Sequence, residues 1–71
     1  MSIVGKIAKK GFGFGVWALV TEDNTTYQLY EPVSELQKEG IAVEVEGKIR
    51  EDIMTTAMIG AVLEVESFKL L

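Results

Sequence analysis

The 71 residues contain no cysteine and no histidine. Without cysteine there is no disulfide, no thiolate nucleophile, no zinc–thiolate site and no iron–sulfur cluster. Without histidine the commonest general base near neutral pH and the commonest transition-metal ligand are both missing, which removes triads, dyads and nearly every catalytic zinc arrangement. Carboxylates or a lysine remain as catalytic groups with nothing positive to support them, so the expectation is a protein that is not an enzyme and has no cofactor. Proline occurs once, and no tandem repeat, low-complexity tract or Pro/Ser-rich linker divides the chain. Long hydrophobic runs are missing too. Val16 to Val20 and Met58 to Leu63 span five and six residues, against the roughly 20 that a membrane-crossing helix needs. The first residues show one Lys before Ala8 and no apolar stretch ending in a small-residue cleavage site. No leader and no membrane contact is expected, and the expected location is cytoplasmic.

What is present fits one small globular domain over residues 1–71, with 48% hydrophobic and 25% charged residues. A 7.8 kDa chain buries only about 61% of its unfolded surface, leaving roughly 4,400 Å² exposed. Such a chain folds when nearly every apolar side chain is well placed, or when it associates with another chain. Seven Lys+Arg against eleven Asp+Glu give a net charge of −4. Lys6, Lys9 and Lys10 fall in a first decade without acidic residues, so the remaining 61 carry −7.

The pattern reads as five strands and one short helix. Ser2 to Lys10 is β-branched and apolar around Gly5, the signature of a long strand bending at the glycine. Gly11-Phe12-Gly13-Phe14-Gly15 breaks regularity, and Val16 to Thr21 is a continuous apolar strand. Glu22-Asp23-Asn24 closes it, the Asp-Asn pair tolerating the positive φ of a tight hairpin to Thr25–Tyr30. From Pro32 to Glu39 the sequence predicts a helix of about two turns, with Ser34 and Gln37 at capping-box spacing, Val33 and Leu36 on one face, and Gly40 as the stop. Ile41 to Arg50 alternates strictly, placing Ile41, Val43, Val45 and Ile49 inside and Glu44, Glu46, Lys48 and Arg50 outside. Ile59, Ala61, Leu63 and Val65 form a fifth strand that runs on to Phe68 and Leu70, with a phase slip near Ser67 expected from a bulge. The expected core is Ile7, Leu19, Tyr27, Leu29, Leu36, Val43, Val45, Leu63 and Val65.

This order of elements resembles the OB-fold, a five-stranded, partly open Greek-key barrel with its helix between strands three and four. The carriers are Gly5, the Asp23-Asn24 hairpin, the Pro32 to Gly40 segment, Gly47 and the run Ala57 to Val65. That last run also looks like the end of short bacterial OB-like domains of uncharacterised function. The resemblance implies an all-β barrel whose binding groove lies on strands two and three, bordered by the loops between strands one and two and between strands four and five. An SH3-like barrel is the fold alternative.

Two sets of candidate binding residues follow. Lys9 and Lys10 with Phe12, Phe14 and Tyr30 could hold single-stranded nucleic acid, cations on phosphate and rings on bases. The acidic remainder of the chain opposes that attraction, and the bland reading is a solvated strand end and a flexible glycine loop. The glycine loop is no phosphate loop, because neither G-x-G-x-x-G opening a helix nor a closing Gly-Lys-Ser/Thr is present. The second set is Met54, Met58 and Phe68, with Ile53: apolar side chains in a loop and at the carboxyl end that suit a protein partner or a second copy. Phe68, Leu70 and Leu71 cannot all turn inward from one strand, so at least one is expected to be exposed. Trp17 and Tyr27, in apolar runs, read as core. Glu44, Glu46, Glu64 and Glu66 share an outer face that reads as solvated and resistant to edge pairing, with a hard cation as the alternative. The function expected is therefore a non-catalytic binding module for protein, possible dimer included, with single-stranded nucleic acid as the alternative.

Overall fold

A computed structural model of the chain describes residues 1–10, 15–53 and 59–71. Five strands, β1 (Ser2–Lys10), β2 (Val16–Val20), β3 (Thr26–Leu29), β4 (Ala42–Ile49) and β5 (Ala61–Leu70), form one sheet. It closes into a ring in the order β1-β2-β3-β5-β4, with β4 pairing back onto β1. Every pairing is antiparallel except the one between β3 and β5. The surface is 4754 Å², slightly more than the roughly 4,400 Å² that size alone leads one to expect.

Gly5 lets β1 serve two partners. The strand pairs with β4 over Ser2–Lys6 and with β2 over Lys6–Lys10, and a Cβ on Gly5 would lie 2.6 Å from the Val20 carbonyl oxygen. Only a residue without a side chain allows that approach. Alternation then sends Ile3 and Ile7, Leu19, Leu29, Val43, Val45 and Leu63 into the ring, where they bury one another and Leu36. Tyr27 and Val65, expected inside, are half-buried and pack around this cluster. Ala18 and Val62, in the outer row Ala8–Ala18–Gln28–Val62, are buried as well.

The β2–β3 hairpin turns where the sequence indicates. Thr21 N–H donates to the Thr25 carbonyl and Asn24 N–H to the Thr21 carbonyl, both at 3.0 Å, and Asn24 takes φ +67°. The Asp23 carboxylate accepts from the Thr21 hydroxyl and from Thr25 N–H, contacts that hold its pKa below the ordinary value. The slip near Ser67 is also present. Glu46 pairs with Ser67 but Gly47 with Val65, so Glu66 is the extra residue of a bulge in β5.

The helix is not formed. Pro32 to Glu39 holds one 3-10 turn, Ser34–Leu36. Gln37 directs its amide to the Pro32 carbonyl at 2.8 Å, and Ser34 directs its hydroxyl to Glu35 at 3.0 Å. Neither makes the capping-box bond, and Val33, expected beside Leu36 on a buried face, is 50% exposed. The physical reason is length. Nucleating a helix fixes three residues for the first hydrogen bond, and with Leu36 as the one side chain to bury, a single turn gains as much as two would. Gly40, at φ +91°, then swings the chain into β4.

Candidate functional site

The seam between β3 and β5 is short, running from Tyr27↔Ala61 to Leu29↔Leu63. It ends where Tyr30 N–H donates to the Leu63 carbonyl at 2.9 Å. The next two residues stop it. Glu31 has φ +46°, a left-handed conformation that costs a residue with a side chain about 1–2 kcal/mol and turns the chain away from β5. Pro32 has no N–H to offer a neighbouring strand.

β5 continues alone on that side. Among the described residues, Glu64 to Leu70 pair only with β4. Leu71 N–H donates to the Ala42 carbonyl at 3.1 Å, and successive residues of a strand point their backbone groups to opposite edges. Phe68 and Leu70 therefore direct N–H and C=O away from β4, toward the open side. Between this edge and the Ser34–Leu36 turn lies a groove of about 300 Å³. Val65 and Phe68 form its apolar floor above the buried Leu36, with Pro32 and Val33 as a wall, Tyr30 at one end and Glu31 and Glu66 as its carboxylates.

Tyr30 is braced from outside the groove. The Arg50 guanidinium carbon sits 5.6 Å from its ring centroid. Arg50 Nε and Nη2 donate to the two Asp52 oxygens at 2.8 and 2.7 Å, and Nη1 lies 3.2 Å from Glu64 Oε1. Lys48 Nζ stands 3.7 Å from that same oxygen. The hydrogen bonds from Arg50 pull the Asp52 carboxyl from its ordinary 3.8 to about 2, and raise Arg50 in turn. This cation is fully committed to its own carboxylates.

The candidates named from sequence separate. Tyr30 and Phe68 line one groove, and both are half-buried rather than open. Lys9 and Lys10 are exposed and do not line it. Lys9 Nζ lies 4.9 Å over the Trp17 ring, while Lys10 lines a separate hollow of about 630 Å³ along β1, which Lys6, Glu22 and Glu39 also line. Phe12, Phe14, Met54 and Met58 lie outside the described residues. At the carboxyl end Phe68 turns in, whereas Leu70 and Leu71 are 57% and 65% exposed. Of the four outer glutamates, Glu46 meets the amino terminus at 3.0 Å, Glu64 meets Arg50 and Lys48, and Glu44 accepts from the Ser2 hydroxyl at 3.3 Å, while Glu66 lines the groove. No cluster suited to a metal ion occurs among the described residues. Sequence reasoning missed Glu31 and Arg50. The only hint for the first was the proline that follows it.

Comparison of this chain with protein-family models, with curated proteins and with solved structures finds no match. Among the described residues no helix is long and apolar enough to cross a membrane.

Proposed function

We propose that this chain is a non-catalytic binding module of OB-like architecture whose partner is another protein, with a location in the cytoplasm. The strand order β1-β2-β3-β5-β4 and the full burial of Leu36, from the segment between β3 and β4, in the core cluster support the barrel reading. One observation carries the function: β5 leaves its edge open beside an apolar groove, in a position where proteins cover an edge or pair it.

The alternative, single-stranded nucleic acid, draws on Lys9, Lys10 and Tyr30. It is disfavoured by the rings as well as by the charge. Trp17 already has Lys9 over it and Tyr30 has Arg50, so each ring has a face occupied where a base would stack. Fluorescence anisotropy with a labelled oligothymidine separates the two readings. No saturable binding is expected at about 150 mM salt; micromolar affinity that falls steeply with salt and is lost in Tyr30→Ala would replace the protein partner with nucleic acid.

A further inference from the structure

We infer that the open edge of β5 takes up an extended peptide of alternating basic and apolar residues as a sixth strand, an inference that rests on the binding-module reading and gives it a site. Three independent observations converge on that edge. Its backbone is available, because Glu31 and Pro32 lead the chain away after the Tyr30–Leu63 hydrogen bond and leave Phe68 and Leu70 directed to the open side. An incoming strand satisfies those groups as β3 does further along, and main-chain bonding of this kind gives affinity while pockets for alternate side chains give specificity. The floor is apolar. Val65 and Phe68 lie under the edge, above the buried Leu36, in a volume of about 300 Å³, which admits aliphatic side chains from one face of a strand and excludes a folded surface.

The sign of the charge selects the rest of the peptide. The groove is lined by Glu31 and Glu66 and by no lysine or arginine. Both carboxylates are exposed, and among the described residues neither has an ion pair. Arg50, beside Tyr30, is held by Asp52 and Glu64, and Lys69, between Phe68 and Leu70 on the same strand, does not line the groove. Glu66 is moreover the bulged residue of β5, and bulges re-aim side chains at strand edges. A strand whose solvent-side positions are Lys or Arg meets these carboxylates, and one with Asp or Glu there is repelled.

The test is an NMR titration of the full chain, labelled with nitrogen-15, at about 150 mM salt. Three blocked seven-residue peptides are compared: Lys-Val-Lys-Val-Lys-Val-Lys, the same sequence with Glu for Lys, and the lysine peptide N-methylated at alternate amides. Saturable shifts at Val65, Phe68 and Leu70 are expected with the lysine peptide alone, with slowed exchange of the Phe68 and Leu70 amides. Glu66→Lys or Glu31→Lys should weaken binding at least tenfold while leaving the rest of the spectrum in place. Equal binding of the three peptides, or no binding by any, overturns the inference. Saturable shifts on another face overturn the site and leave the module reading standing. A dimer in sedimentation whose Phe68 and Leu70 amides are already protected makes a second copy the occupant, against the inference but within that reading. Oligothymidine binding with no peptide binding removes both.

Discussion

A Cβ placed on Gly47 would stand 2.1 Å from the carbonyl oxygen of Glu64. Gly47 pairs with Val65, the residue after Glu64, where the register of β4 and β5 shifts, so the bulge holds backbone against backbone with no room for a methyl group. Gly47→Ala must push the strands apart at the point where β5 bends, and a loss of several degrees in Tm or failure to fold is expected. Gly40→Ala is the contrast, because nothing lies within 4 Å of its Cβ and only φ +91° resists the change. That variant should lose about 1–2 kcal/mol, measured by urea unfolding.

Leu36 is the sole buried side chain of the Ser34–Leu36 turn and is fully enclosed in the core. Leu36→Ala is expected to cost about 2–5 kcal/mol, in the same range as Leu63→Ala. Ser34→Ala should cost almost nothing, since its hydroxyl bonds only the exposed Glu35. Equal losses for Leu36→Ala and Ser34→Ala in chemical denaturation would show that Leu36 does not tie the turn to the core.

Native-state hydrogen exchange should resolve the edges of β5 by alternation. Lys69 and Leu71 face Glu44 and Ala42 of the neighbouring chain segment, Leu71 through a bond of 3.1 Å, and their amides should exchange slowly. The Phe68 and Leu70 amides, directed to the open side, should exchange markedly faster in the free chain. Equal protection of all four means the edge is covered.

Acid should weaken the fold through Asp52 and Asp23. A carboxyl whose pKa is lower in the folded chain adds stability above its unfolded value, and loses it as pH falls through the folded one. For Asp52 the window runs from 3.8 down to about 2. Both side chains are exposed, so each contribution is small. Unfolding free energy should decline across that window, and less steeply in Asp52→Asn; an unchanged slope in that variant assigns the decline elsewhere.

How far the sequence could be read depended on the range of the interaction. The alternation of Ile41 to Arg50 is local, and β4 lies there with Val43 and Val45 buried. Asn24 and the slip beside Ser67 are likewise properties of a few neighbours. The helix at Pro32 was misread because capping residues and a stop signal say nothing about how much apolar surface a helix has to bury. The groove was only half legible. Tyr30 and Phe68 could be picked out as aromatics, but that they share a groove depends on β3 lying beside β5 in parallel, with Tyr27 and Ala61 34 positions apart in the chain. Arg50 over Tyr30 needs the same adjacency.

That parallel seam also sets the order in which the fold can be made. Of the five pairings only β1–β2, β2–β3 and β4–β5 join consecutive strands, while the two that close the ring join Ser2 to Glu46 and Tyr27 to Ala61. β5 supplies a neighbour to both β3 and β4, so a chain emerging from the ribosome holds an open, incomplete sheet until its fifth strand has been made. At about 5–20 residues per second the stretch from Ala42 to Leu70 takes roughly 1.5–6 s to synthesise, at or beyond the slow end of the milliseconds-to-seconds range in which such non-local sheets fold. Synthesis, rather than the search for the native pairing, therefore times the closure of this ring in the cell, and until then Val43 and Val45 wait for Phe68 and its neighbours to cover them.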